Sequence, residues 1–266
     1  MKGLRAIAIG FLIAAASTVL TADLWEKNGY DQQFRESVDA PPSVRFPLGT
    51  DDLGRDRLAR LVYGARVSLL LAPAAALLSC VAAALLGGLA GLAGGFTERA
   101  ILAAADLFLS LPWFFLLLMA RASLPLNVSP AISVGITFFL LGLLGWAAPA
   151  RVIRAAVCDL RHAGFLEFAR ACGSSPWRLL SRQVAPSLMP VLRAQFWIAV
   201  PAYILAETTL GMLGLGVSEP LPSLGGLLRE LEGGDVASRL WLLAPVALLA
   251  SILVSLQSLR PADHSL

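Results

Sequence analysis

The chain has 266 residues, 57% of them hydrophobic and 15% charged, and a formal net charge of +3. A mean hydropathy of +0.73 puts it outside ordinary soluble domains and predicts an all-α polytopic membrane protein. Cys80, Cys158 and Cys172 lie in or beside apolar stretches, and His162 and His264 are isolated. Neither a disulfide framework nor a metal site is expected, and no nucleic-acid partner.

In chain order, Lys2 and Arg5 open a first span at residues 4–22. A cleavable signal peptide competes with this reading, but the residues before Asp23 make a poor small-x-small cleavage site, which favours an uncleaved helix. The stretch from Asp23 to Arg66 is mixed in charge and carries Pro41 and Pro42. It is expected outside the bilayer.

Within it, Leu58, Leu61, Val62 and Ala65 repeat at helical spacing while Arg55, Asp56, Arg57 and Arg60 fall largely elsewhere. That pattern predicts a short helix along the membrane surface, or an amphipathic lead-in to the next span.

The second span runs from Val67 to Ala93, with Gly87, Gly88, Gly91 and Gly94 as small residues that let another helix approach. A turn at Gly94 and Gly95 precedes a third span to Ala120 that contains Asp106 and Pro112. A fourth covers 130–149, a fifth runs from Leu188 to Leu210, and a sixth from Leu240 to Ser258. Each approaches the roughly 20 residues needed to cross hydrocarbon, with Pro190, Arg193, Pro201 and Glu207 interrupting the fifth. Six spans put both termini on one side. The expected layout is a single membrane domain: residues 1–66 as first helix and external segment, 67–258 as a five-helix core with a loop at 151–187, and 259–266 as a short cytoplasmic tail.

Arg151, Arg154, Arg161, Arg170, Arg178 and Arg182 crowd the connection between the fourth and fifth spans, against Asp159 and Glu167. Positive residues mark the cytoplasmic side, so this connection and both termini face the cytoplasm. From Phe165 to Pro190 the sequence reads as helix, turn, helix. Gly173 supplies a left-handed stop, and Ser175-Pro176 is a start signal. Composition alone allows a plain solvated loop.

Glu167-x-Ala169-x-x-x-Gly173, with Pro186 thirteen places on, resembles the EAA loop of ABC importer permeases. Phe168, Gln183 and Ala185 depart from that pattern. A second run is more specific: Gly49-Thr50-Asp51-x-x-Gly54-Arg55-Asp56, then Arg60, Tyr63-Gly64 and Arg66. It resembles the signature before the second helix of the C-type permease of dipeptide, oligopeptide and nickel importers. The family's Pro-Ser-Trp-Gly appears here as Pro222-Ser223-Leu224-Gly225, and of its tail only Leu259-Arg260 remains.

The resemblance implies a type I importer permease. Its partners are a second homologous permease, two ABC ATPase subunits, an external solute-binding protein and the lipid bilayer. The cargo is short peptides by default, with nickel or a nickel chelate as the alternative. Glu167, Phe168, Ala169, Arg170, Gly173, Ser175, Pro176 and Pro186 would couple to the ATPase. No P-loop is present, the only lysines being Lys2 and Lys27. ATP and magnesium therefore belong to the partner ATPases, and this chain is expected to carry neither catalytic residues nor a cofactor of its own.

Asp106 and Glu207 are costly facing lipid and are expected to face protein or a water-filled path. Hydrogen bonding between helices is the plainer role. A secondary transporter or channel using these two acids without ATP is the competing function.

Overall fold

The computed structural model describes residues 2–26, 28–124, 128–161, 163–164, 168, 172–173, 175–233 and 239–259. Among these the regular secondary structure is helical, apart from two isolated bridges, Gln33 with Arg55 and Thr50 with Asp56. The helices are α1 Lys2–Leu20, α2 Ala22–Trp25, α3 Arg57–Ala93, α4 Gly95–Ser110, α5 Trp113–Ala122, α6 Pro130–Leu144 and α7 Ala147–Arg161. They continue with α8 Pro176–Leu179, α9 Ala185–Met212, α10 Leu224–Arg229 and α11 Ala244–Ser258.

Four stretches are long and apolar enough to cross a membrane: Arg57–Ala93, Pro130–Arg161, Arg182–Met212 and Leu240–Ser258. A fifth exists if α4 and α5 count as one span, and Arg5–Leu20 is a shorter apolar helix. The expected third span is broken, with α4 and α5 meeting at 79°. The break falls at Leu111 and Pro112, both in extended backbone, where proline offers no N–H to continue the helix.

Helix α3 organises the bundle. Asp56 caps it, accepting from Leu58 N at 2.8 Å, an interaction worth about 1 kcal/mol. It then runs unbroken for 37 residues to Gly94. The predicted surface helix at 58–65 is therefore the first two turns of α3. It leaves the surface because its arginines meet acids supplied by distant parts of the chain.

Along α3 the buried residues are small: Ala72, Ala76, Cys80, Ala83, Gly87, Ala90 and Gly91. This strip receives α6, α7 and α9. A Cβ on Gly87 would lie 2.3 Å from the Ala150 carbonyl oxygen, and one on Gly91 2.7 Å from Val157. Large apolar side chains point outward instead, among them Leu77, Leu85, Phe115, Phe139 and Val254. A bundle with small residues inside and large apolar ones outside suits lipid surroundings.

Past Arg161, α8 passes through a π turn, Leu180–Val184, into α9. Pro186 sits in the first turn of α9, and Pro190 and Pro201 lie inside it, so Pro190 does not end the segment as its sequence suggested. The loop foreseen at 151–187 is shorter, because residues 151–161 belong to α7.

Candidate functional site

The signature Gly49 to Arg66 folds into a charged clasp at one end of the bundle. Gly49 and Gly54 have φ of +72° and +74°, and a Cβ on either would lie 2.4 Å from a backbone oxygen, of Ala40 and Phe34 respectively. Only glycine fits both turns. Thr50 accepts from Ala40 N at 2.8 Å and donates to the Ser37 carbonyl, pinning the preceding loop.

Asp51 is fully buried. It accepts from Leu53 N at 3.0 Å, Arg55 N at 2.7 Å and Arg55 Nε at 2.6 Å. Asn28 Nδ2 donates to Asp56 at 2.8 Å, tying the segment before the signature to the head of α3.

The rest of the clasp comes from the chain after α9. Arg55 Nη1 reaches Glu219 at 2.5 Å, and Arg60 Nη2 reaches Glu219 at 3.2 Å and Glu230 at 3.0 Å. Arg57 Nη1 holds Glu230 at 3.0 Å, and Arg60 Nη1 lies 3.5 Å from Asp51. Most of the Glu219 side chain is exposed, and the part that is desolvated pushes its carboxyl up, but Arg60 and Arg55 outweigh this and hold the group below its ordinary range. At Glu230 burial prevails over Arg60 and Arg57, and the carboxyl is raised. Burial lowers Arg55, but Asp51 and Glu219 more than reverse that.

Tyr63 donates to Asp23 at 2.6 Å and Arg66 contacts its other oxygen at 2.9 Å, which together hold the Asp23 carboxyl low. They moor α2, which follows α1, to α3. Gly64 lets Ser223 approach, a Cβ there falling 3.2 Å from its carbonyl carbon. Ser223 caps α10, accepting from Gly226 N at 3.1 Å, and Leu224, where the family has tryptophan, is fully buried. Every residue of the signature thus serves a joint at this end of the bundle. Glu219, Glu230 and Arg57 were missed by sequence reasoning, although three arginines crowded at 55–60 against nearby Asp51 and Asp56 ask for acids from elsewhere.

The two acids within apolar stretches both bond to another helix. Glu207 is fully buried and accepts from Ser68 Oγ on α3 at 3.1 Å. Asp106 on α4 pairs with Arg151 on α7. They do not meet each other.

At the opposite end Arg154 Nε donates to Glu98 at 2.7 Å and Arg161 Nη1 to the Gly91 carbonyl at 3.0 Å, locking α7 against α3 and α4. Of the expected coupling residues, Glu167, Ala169 and Arg170 lie outside the described residues. Phe168 is 72% exposed, and Gly173 is left-handed with φ +77°. Ser175 accepts from Leu179 N through its carbonyl at 3.0 Å, opening α8 at Pro176 as its sequence suggested. Leu179, Val184 and Leu188 are buried in one cluster with Ala83, Ala105, Trp146, Ile153 and Val157. The segment from Leu179 to Leu188 is thereby packed into α3, α4 and α7.

Residues 83–260 match the family described as "Binding-protein-dependent transport system inner membrane component". The chain is 31% identical over 245 residues to the oligopeptide transport system permease protein OppC of Mycobacterium tuberculosis, covering 89% of this chain and 83% of that one. It is 30% identical over 230 residues to OppC of Bacillus subtilis, covering 86% and 72%. To the di/tripeptide transport system permease protein DppC of Pseudomonas aeruginosa it is 34% identical over 217 residues, covering 79% and 69%. The chain therefore belongs to the binding-protein-dependent transport system inner membrane components, and is a multi-pass permease of the inner membrane rather than a catalytic subunit.

Proposed function

We propose that this permease forms half of the path of an ATP-driven importer of short peptides. A second homologous permease supplies the other half, two ATPases dock beneath, and an external solute-binding protein delivers the cargo. The peptide cargo is supported by the relatives named for oligopeptides and di/tripeptides. In this reading the arginine-rich arm at 162–184 faces the cytoplasm with both termini, and the clasp at 28–60 faces outside.

The observation that carries the coupling is the burial of Leu179 and Val184 among Ala83, Ile153 and Val157. A push on α8 passes into the bundle, because the segment from Leu179 to Leu188 is packed into three helices at once. Closure of the ATPases would move α8 as a rigid body and turn α7 and α9 with it. Glu207 and Asp106, each bonded to another helix, act as joints between moving parts.

The test is uptake of a radiolabelled tripeptide into liposomes holding the assembled transporter. Uptake that needs both ATP and the loaded binding protein supports the proposal. Uptake indifferent to ATP would transfer the weight to an ion-driven mechanism, and uptake of nickel alone would change the cargo.

A further inference from the structure

A cavity of about 1020 Å3 opens at the clasp end, lined among others by Asp52, Arg55, Arg121, Glu219, Arg229 and Glu230. Its volume suits a small ligand. Its charges are unequally engaged. Glu219 and Glu230 are committed to Arg55, Arg57 and Arg60. Two cations lining the same space are not so committed.

Arg121, at the end of α5, has no exposed surface. Its Nη2 donates to Ser133 Oγ at 2.8 Å and to the Gly216 carbonyl at 3.2 Å, both neutral acceptors. Among the described residues its Nε and Nη1 have no hydrogen-bond partner. A buried guanidinium with idle donors and no counter-charge is costly, and an arriving anion would relieve that cost. Arg229, at the end of α10, is exposed and makes no ion pair or hydrogen bond among the described residues. Gly214 leaves room for it, since a Cβ there would meet Arg229 Nη1 at 2.7 Å.

We propose that this cavity is a carboxylate site, occupied during transport by the anionic end of the cargo, with Arg121 and Arg229 as its cationic partners. The inference rests on the peptide reading for the source of that carboxylate. Guanidinium groups match carboxylates in shape and charge, and they disfavour a bare metal cation in the same space.

The test uses the assembled transporter in lipid nanodiscs and follows phenylglyoxal modification of Arg229 by mass spectrometry. The probes are trialanine, trialanine amide and succinate at matched ionic strength. Trialanine and succinate at about twice their Kd should each slow labelling about threefold, and the amide should not. Equal rates with and without every probe, or equal protection by the amide, would overturn the site. Protection by succinate but not by trialanine would keep the anion site and remove the peptide reading.

Arg121 is tested by uptake with the binding protein held constant. R121Q should lower the ratio of trialanine to trialanine-amide uptake about tenfold, and R121K should preserve it. Equal loss for both peptides in R121Q would make Arg121 a packing residue and overturn its assignment.

Discussion

Neighbouring glycines on α3 have opposite surroundings. A Cβ on Gly87 would stand 2.3 Å from the Ala150 carbonyl oxygen and 3.0 Å from its carbonyl carbon, whereas one on Gly88 meets nothing within 4 Å. Ala150 belongs to the backbone of α7, so no side chain can swing aside. For G87A to reach a tolerable contact of about 3.0–3.4 Å, α7 must retreat by roughly 0.7–1.1 Å. A gap of that size forfeits about a quarter to a half of the dispersion between facing atoms. With the overpacking cost the loss is about 2–3 kcal/mol. In contrast, G88A removes a helix-weakening glycine and should be neutral or stabilising by up to about 1 kcal/mol. The assay is a thermal melt of the purified assembly, where G87A should fall by roughly 4–12 °C and G88A should not fall. Equal melting of the two variants would refute the close packing of α3 on α7.

Three further outcomes are expected. E219Q removes the charge that Arg55 and Arg60 share; because Glu219 is largely exposed, the loss is on the order of 1–2 kcal/mol rather than that of a fully buried pair. Glu219 is held below its ordinary value of 4.5, so its contribution is present above that pH and lost as pH falls through its depressed value. The gap between wild type and E219Q in melting scans should therefore close on acidification below 4.5, and a gap that persists there would contradict the clasp. E207Q keeps an acceptor for Ser68 and should retain ATP-driven uptake, whereas an ion-driven transporter using Glu207 would lose it. Finally, E167A and Gly173→Pro should insert normally but lose most hydrolysis stimulated by the loaded binding protein; full stimulation in both would remove the coupling role of the arm.

Much of this was legible in the residues. Gly87, Gly88, Gly91 and Gly94 announced a close helix contact, but nothing in the sequence said that Gly87 and Gly91 face α7 while Gly88 does not, because that depends on the partner's position. Gly49 and Gly54 stood in the sequence only as members of the signature, and their left-handed turns, φ +72° and +74°, appear only in the fold. The helical phase of Leu58, Leu61 and Val62 was right, but the fate of its polar face was not. Arg55 and Arg60 looked like a solvated face and are buried, since Glu219 and Glu230 lie far along the chain and only folding brings them near. Arg121 carried no local pattern beyond a lone charge ending an apolar stretch. The break at Pro112 was marked by its proline, yet its angle is set by the helices around it.

Tagging the chain, extracting it from its native membrane in mild detergent and identifying by mass spectrometry what comes with it tests whether this permease works, as proposed, as one subunit of a larger ATP-driven assembly. A second homologous permease and P-loop ATPases are expected in the purified complex. Recovery of the chain alone, or only as a homo-oligomer, would contradict it.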